Sequence, residues 1–140
     1  MGRRSGRAGD GQIEWGDYPR VQAGQYDAYC AYASKYFDRC YKRWVCILRF
    51  DLLAVNKIDV VARVPMWLSL GNRKNPHAAR RGRFFQEWVR ANGGPPIRGD
   101  RLSVRVFIRR MGRVLVGDTN TTVPYSVVKE ILFWETGAQR

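Results

Sequence analysis

The chain has 140 residues, 45% of them hydrophobic, which suffices for one compact domain with its own core but leaves little room for a second. Its 25 Lys and Arg residues outnumber 12 Asp and Glu, and the formal net charge of +13 indicates a polyanionic partner. No apolar run approaches the roughly 18 residues of a membrane span, and no apolar segment follows the basic N-terminus as in a signal peptide. We therefore expect a cytoplasmic protein with a flexible, basic, glycine-rich arm (residues 1–23), one domain (residues 24–137) and a short tail (residues 138–140).

Alternation of apolar and polar side chains predicts three consecutive strands in the first half of the chain. They cover Gln25–Ser34, Lys42–Leu53 and Ile58–Leu68, and a tight turn at residues 54–57 joins the last two as a hairpin. In the first strand the alternation places one set of side chains on a common face: Tyr26, Ala28, Cys30 and Tyr32. The second strand has the clearest apolar face, made up of Trp44, Cys46, Leu48, Phe50 and Leu52.

In the second half of the chain, the pattern of apolar residues and of helix caps predicts a mixture of helices and shorter strands. A helix over Arg80–Asn92 ends at two glycines and two prolines, and Ser103 caps a single turn through Phe107. A strand over Met111–Val116 and a short returning strand over Thr121–Tyr125 follow. Apolar residues at helical spacing then predict a last helix over Val127–Glu135.

This order of elements favours a β-rich α+β fold of a recognisable kind. Five strands with a helix between the third and fourth are typical of the oligonucleotide/oligosaccharide-binding (OB) fold. We therefore expect a five-stranded OB-like barrel with an additional C-terminal helix. Another α+β roll would produce a similar pattern of elements.

Residues for catalysis or metal binding are sparse. The single histidine, His77, lies in a polar loop, and with Cys30, Cys40 and Cys46 it makes four nominal zinc ligands. Two of the cysteines, however, lie in mid-strand on the apolar face, where small buried thiols are common. The three cysteines do not predict a disulfide framework either. Asp51 and Asp59 flank the predicted hairpin turn and could approach each other across it, and metal-dependent nucleases cluster carboxylates in this way. Solvated acids beside a turn are the simpler interpretation. We expect no enzyme activity, metal or cofactor.

Basic residues interleaved with aromatic residues form the strongest functional signal. One group lies in and beside the loop that joins the first two strands: Tyr36, Phe37, Arg39, Tyr41, Lys42 and Arg43. A second group lies on the non-core face of the second and third strands: Arg43, Arg49, Arg63 and Trp67. In proteins that bind single strands, cations follow the phosphates and flat rings stack on the bases. The alternative is that this face packs against the N-terminal arm or the last helix and that Trp67 is buried there.

Two further arginine pairs are candidates for phosphate contacts. Arg80 and Arg81 open the predicted helix, where cations oppose the helix dipole and a bound phosphate would relieve the conflict. A solvated run of charge is the simpler interpretation of that pair. Arg109 and Arg110 precede the predicted fourth strand.

Several short segments carry a resemblance to a known group of proteins. They are Gly24–Tyr26 at the start of the first strand, Arg49-Phe50, Gly93–Ser103, Val106-Phe107, Val114–Thr119 and Pro124–Val128. Over about Gly24 to Leu132 the chain resembles small single-stranded-DNA-binding-like proteins of phages and bacterial mobile elements. The resemblance implies an OB fold and a role in replication or recombination. Arg109-Arg110 departs from the pattern, because such proteins tend to carry Gly-Lys there.

Together these features predict a non-catalytic protein that binds single-stranded nucleic acid with little sequence specificity, with DNA favoured over RNA. Replication or recombination proteins and further copies of the chain are candidate partners. The alternative is an accessory protein of a mobile element that docks on duplex DNA or on an acidic protein.

Overall fold

A computed structural model describes residues 11–12, 16, 18–97 and 101–135. Within these residues the chain forms five strands, one α-helix and one short 3₁₀ helix: β1 (Gly24–Asp38), β2 (Arg43–Leu53), β3 (Val60–Ser69), α1 (Arg83–Asn92), the 3₁₀ helix (Val104–Phe107), β4 (Met111–Asp118) and β5 (Ser126–Trp134). Most of the predicted arm and all of the predicted tail lie outside the described residues. No helix in the described part of the chain is long and apolar enough to cross a membrane.

The five strands form one antiparallel sheet in the order β3-β2-β1-β4-β5. The β-rich class, the β2–β3 hairpin and the helix between the third and fourth strands are therefore confirmed. Strand β1 lies at the centre, where Gly24–Tyr29 pair with β4 and Asp27–Asp38 pair with β2. The edge strands β3 and β5 contact each other without being hydrogen-bonded neighbours, so the sheet is strongly curved and open.

One extra residue interrupts the alternation of β1. Cys30 pairs with Phe50 and Tyr32 pairs with Arg49, so Ala31 has no partner in β2. A bulge of this kind reverses the faces of the residues that follow it. The prediction that Tyr32 shares a face with Cys30 is therefore wrong, because Cys30 is fully buried and Tyr32 is 46% exposed.

Strand β1 is also longer than its pattern indicates, because the bulge interrupts the alternation of apolar and polar residues by which a strand is recognised. It continues to Asp38 rather than ending at Ser34. Tyr36 and Phe37 are consequently strand residues, not loop residues. Because they are consecutive, their side chains lie on opposite faces of the sheet.

The predicted C-terminal helix is wrong, because this segment is strand β5. The register of β4 against β5 skips Leu132 and Lys129, so β5 contains two extra residues. Each extra residue shifts the phase of the strand by one, and the residues of β5 that join the core cluster are Val128, Ile131 and Trp134. Two bulges thus give a strand the three-residue spacing of a helix, while its β-branched residues keep it extended.

The returning strand predicted over Thr121–Tyr125 is also wrong. These residues belong to the β4–β5 loop, which is closed by the hydrogen bond from the Thr119 N–H to the Tyr125 carbonyl (2.9 Å). The Thr119 and Thr121 hydroxyls lie 2.7 Å apart within the loop. The true partner of β4 begins one residue after the predicted strand ends, at Ser126.

Helix α1 begins three residues later than predicted and ends where expected. Gly82 is its N-cap and makes no side-chain hydrogen bond, while Gly93 closes it with φ +80°, a conformation that glycine adopts without a steric penalty. Ser103 caps the 3₁₀ helix as predicted, with its hydroxyl accepting from the Arg105 N–H.

The core joins the helix to the two ends of the sheet through aromatic rings. The Phe107 ring centroid lies 5.8 Å from that of Phe84 and 5.6 Å from that of Trp134, which is in turn 5.9 Å from Phe50. The buried Glu87 of α1 accepts hydrogen bonds from the Trp134 indole (3.1 Å) and from Arg90 (2.7 Å). Helix α1 thus packs against the 3₁₀ helix, β3 and β5, and the opposite face of β1–β3 is not covered by the helix.

We predict that Gly112→Ala lowers the free energy of unfolding by about 1–3 kcal/mol, because a methyl group at Gly112 would lie 2.6 Å from the Phe133 carbonyl oxygen. The matched control is Gly117→Ala on the same strand, where the methyl group meets only the flexible side chain of Lys129. We expect the control to change stability by less than about 0.5 kcal/mol. Urea unfolding of both variants measures the difference, and equal stabilities would contradict this account of the β4–β5 contact.

Candidate nucleic-acid interface

The face of β1, β2 and β3 that points away from the core carries a groove, called here the outer groove. Its volume is about 470 Å³, and it is lined by Tyr18, Pro19, Tyr32, Ser34, Tyr36, Ile47, Arg49, Arg63, Pro65 and Trp67. Strand alternation and the bulge in β1 together direct these side chains to one side. The prediction that Trp67 shares a face with Arg63, opposite Val64, Met66 and Leu68, is confirmed.

A direct hydrogen bond joins two aromatic side chains that lie on either side of β2. The Trp67 indole N–H donates to the Tyr36 hydroxyl over 3.0 Å, and the two residues belong to β3 and β1. Trp67 is 36% exposed and Tyr36 is 38% exposed, so each residue presents a substantial part of its surface to solvent. Ile47 lies between them on β2, opposite Trp67, and is buried at the floor. The hydrogen bond fixes both rings above an apolar floor.

A guanidinium lies over the third ring of the groove. Tyr32 and Arg49 are cross-strand partners on β1 and β2, and the Arg49 guanidinium carbon is 5.7 Å from the Tyr32 ring centroid. Arg49 forms no ion pair with any described residue. Its charge is therefore available to a phosphate, and its planar group extends the flat surface of the ring.

Arg63 enters the same face from β3 but is already paired. Its Nε donates to the Asp51 carboxylate over 3.1 Å, between directly opposite residues of β2 and β3. The Arg63 side chain is highly exposed and Asp51 is largely covered, so the carboxylate anchors the stem while the rest of the guanidinium reaches solvent.

The two acids considered for a nuclease have different partners. Asp51 binds Arg63, whereas Asp59 accepts from the Asn56 side-chain amide (2.7 Å) inside the β2–β3 turn. Among the described residues, no three of His, Cys, Asp and Glu come together as potential metal ligands.

The segment before β1 forms one wall of the groove and is tied to the end of the sheet. The Tyr18 ring packs against Tyr125 with centroids 4.6 Å apart, and the Pro19 carbonyl accepts from the Ser126 N–H (3.0 Å). Arg20 forms an ion pair with Asp118 (2.8 Å), and this hydrogen bond lowers the pKa of the carboxyl. Residues 18–21 of the predicted arm thus contact the sheet and contribute Tyr18 and Pro19 to the site.

The β1–β2 connection forms a basic hairpin tip, defined as residues 39–42. The Asp38 carboxylate accepts from the Cys40 and Tyr41 N–H groups, and Lys42 completes the turn at φ +51°. Arg39, Tyr41 and Lys42 are all exposed, as the sequence predicts for a loop.

Arg43 and Phe37 flank the hairpin tip and point in different directions. The Arg43 guanidinium lies 5.6 Å from the Tyr41 ring centroid. Phe37 contacts Trp44 edge to face at 5.6 Å on the core side of the sheet. Phe37 is therefore separated from Tyr36 and Trp67, although the sequence grouped it with Tyr36.

The remaining predicted arginines lie away from the groove lining. Arg80 and Arg81 are exposed in the loop before α1, and Arg109 is exposed with φ +69°. The Arg109 N–H donates to the Cys30 carbonyl (2.7 Å), and Arg110 Nε donates to the Val106 carbonyl (2.6 Å). Arg110 thus has a structural bond that secures the turn next to the bulge in β1.

Sequence reasoning missed six lining residues: Tyr18, Pro19, Tyr32, Ser34, Ile47 and Pro65. Tyr32 was missed because alternation without the bulge assigns it to the core. Tyr18 was missed because its place depends on contacts with the far end of the chain. Ile47 and Pro65 carry no functional signal of their own, and only their strand neighbours bring them into the site.

Comparison with known proteins adds no relative on which to base an assignment. No protein-family model and no curated protein sequence matches this chain. Any assignment of function therefore rests on the residues that line the outer groove.

We predict that one of the three cysteines reacts rapidly with a thiol reagent in the native protein. All three are free, but Cys30 and Cys46 are buried, and burial raises the pKa of each thiol to about 12. Neither forms an appreciable amount of thiolate at pH 8, whereas Cys40 is exposed at the hairpin tip. Titration with Ellman's reagent should show one fast thiol, and Cys40→Ser should remove it. A second fast thiol in the native state would contradict the assignment of Cys30 and Cys46 to the core.

Proposed function

We propose that this protein binds single-stranded nucleic acid, DNA in preference to RNA, in the outer groove and without catalysing a reaction. One observation carries the proposal: three partly exposed rings, Tyr32, Tyr36 and Trp67, share one groove with two arginines. The rings provide stacking surfaces for bases, and Arg49 and Arg63 provide charge for the phosphates. Stacking accepts any base, so the rings by themselves give little sequence preference.

Single strands suit this groove better than a duplex does. The rings lie over an apolar floor that includes Ile47 and Pro65, and a paired base has no free face to place there. A duplex would contact the arginines alone, through its phosphates. The fixed Tyr36–Trp67 pair favours an unpaired strand further, because these rings lose little conformational freedom on binding.

We also propose that the curved, open sheet is the partly open, five-stranded barrel of an OB-like fold. Support comes from the strand order, the position of α1 between β3 and β4, and the contact between the edge strands β3 and β5. The β2–β3 face and the adjoining β1–β2 loop are the surfaces that OB folds use for oligonucleotides. A role in replication or recombination of a phage or mobile element follows from the sequence resemblance and belongs to the same proposal.

A second candidate function is an accessory protein that docks on duplex DNA or an acidic protein. The observation in its favour is that Arg80, Arg81 and Arg109 are exposed outside the groove. Exposed arginines can bind duplex phosphates or acidic side chains without contacting unpaired bases. Mutations in the groove separate the two candidates.

We predict that Trp67→Ala weakens binding to oligo-dT by about 1–3 kcal/mol, the usual contribution of one stacked base. Binding to a duplex of equal length should change much less. Phe133→Ala is the matched control, because Phe133 is an exposed ring on β5 outside the groove lining. Fluorescence anisotropy measures the affinities, and thermal unfolding establishes that each variant is folded. Equal affinities of Trp67→Ala and the parent chain for oligo-dT would favour the accessory protein.

Salt dependence provides an independent prediction. Contacts to four to six phosphates should make log K for oligo-dT fall by roughly 3 to 4 per log unit of salt concentration, at about 0.7 per phosphate. Arg49→Ala should reduce this slope by about 0.7. Arg105→Ala is the control, because Arg105 is exposed on the 3₁₀ helix and does not line the groove. A slope near zero would show that the basic surface does not contact the strand.

A further inference from the structure

A second pocket adjoins the outer groove, and one of its lining residues is an acid, Asp51. A surface that binds only phosphate would not be expected to contain a carboxylate. Its volume is about 420 Å³, and it is lined by Ala31, Tyr32, Arg49, Asp51, Arg63 and Val64. Tyr32, Arg49 and Arg63 also line the groove, so a strand in the groove passes the mouth of this pocket. The carboxylate of Asp51 repels phosphate, so a ligand group that approaches it must be a hydrogen-bond donor.

The Asp51 carboxylate retains hydrogen-bonding capacity. One oxygen accepts from Arg63 Nε over 3.1 Å, and the other accepts no hydrogen bond from the described residues. A carboxylate has roughly four lone-pair sites, so it can accept from a ligand while it still holds Arg63. Arg63 uses one of its five N–H donors in this pair and keeps the others. The pocket thus offers an anionic acceptor next to cationic donors.

Among the DNA bases, guanine matches this arrangement best. Its N1–H and N2–H donors are adjacent and point in the same direction, so both can donate to one carboxylate. Its O6 and N7 atoms accept two hydrogen bonds from an arginine. Adenine and cytosine each offer one amino group, and thymine offers one N–H, so none of them supplies two parallel donors to Asp51.

The aromatic wall of the pocket provides the stacking surface. Tyr32 is 46% exposed and Arg49 lies over its ring, so a base can stack on the ring or on the guanidinium plane. The bulge at Ala31 is what turns Tyr32 toward this pocket and the groove.

We propose that this pocket binds one guanine base of the strand, with Asp51 accepting from its N1–H and N2–H groups, Arg63 donating to its O6 and Tyr32 or Arg49 stacking on its ring. This inference rests on the proposed function and adds a base preference to it. Asp51 is then a specificity-determining residue and not merely a partner that holds Arg63 in place.

The test compares oligo-dT with oligomers of equal length that carry a single central guanine, hypoxanthine, adenine or cytosine. We expect the guanine oligomer to bind at least about fivefold tighter than oligo-dT, which is the lower end of the discrimination given by a bidentate pair. The hypoxanthine oligomer lacks the 2-amino group and should bind with intermediate affinity. Because this comparison uses the unmodified chain, it does not depend on the folding of any variant.

The decisive variant is Asp51→Asn, because an amide offers one acceptor and turns an N–H toward the guanine donors. Loss of a negative charge should raise its affinity for oligo-dT, while the ratio of guanine to thymine affinity should fall to about one because the two hydrogen bonds to guanine are lost. Asp59→Asn removes the same charge in the β2–β3 turn, outside the pocket lining, and should keep the ratio of the parent chain.

Three other results would overturn the inference, and they can be distinguished from one another. Equal binding of the guanine, adenine and cytosine oligomers by the parent chain would overturn the guanine pocket and leave the proposed function intact. A guanine preference that persists in Asp51→Asn, with all affinities reduced together, would show that Asp51 only positions Arg63. Failure of every oligomer to bind would overturn the proposed function and this inference together.

Discussion

A single extra residue in the central strand determines the candidate binding face. Ala31 has no partner in β2, and the bulge reverses every later side chain of β1. Cys30, which precedes the bulge, is buried, whereas Tyr32 and Tyr36, which follow it, face the groove with Arg49 and Trp67. The turn at Arg109 and Arg110 supports the bulge, because the Cys30 N–H and carbonyl both bond to it. A regular β1 would place Tyr32 and Tyr36 on the core side and leave the groove without two of its three rings.

Bulges also determine the conformation of β5, at the edge of the sheet. Strand β5 carries two extra residues, and the carbonyl of one of them, Leu132, accepts from Arg90 of α1 (2.8 Å). Arg90 also binds Glu87, which accepts from the Trp134 indole. The polar groups that the bulge leaves unpaired are thus satisfied by the helix, so the irregular strand and α1 stabilise each other.

The helix and the groove therefore occupy opposite sides of β1–β3. Phe84 and Trp88 of α1 are buried in the core, so the helix covers the apolar face and leaves the outer face to other ligands. On that outer face the largest side chains are held before any ligand arrives: Trp67 by Tyr36, Arg63 by Asp51 and Arg49 by Tyr32. Such preorganisation reduces the entropy that binding costs. The mixture of bound and unpaired charge is what distinguishes this surface from a uniformly basic one.

The sequence alone determined the parts of this protein that follow from local periodicity. Regular alternation predicted β2, β3 and their hairpin, the position of Trp67 beside Arg63 follows from the same period, and the stop at Gly93 was readable from its glycines and prolines. Local pattern failed wherever a bulge changed the phase: it assigned Tyr32 to the core, ended β1 too early and made a helix of β5. Only the tertiary structure decided these points, because an unpaired residue is defined by the register of a neighbouring strand. It also decided that Tyr18 and Asp51 meet the arginines on one face, because contacts between distant segments leave no periodic trace in the chain.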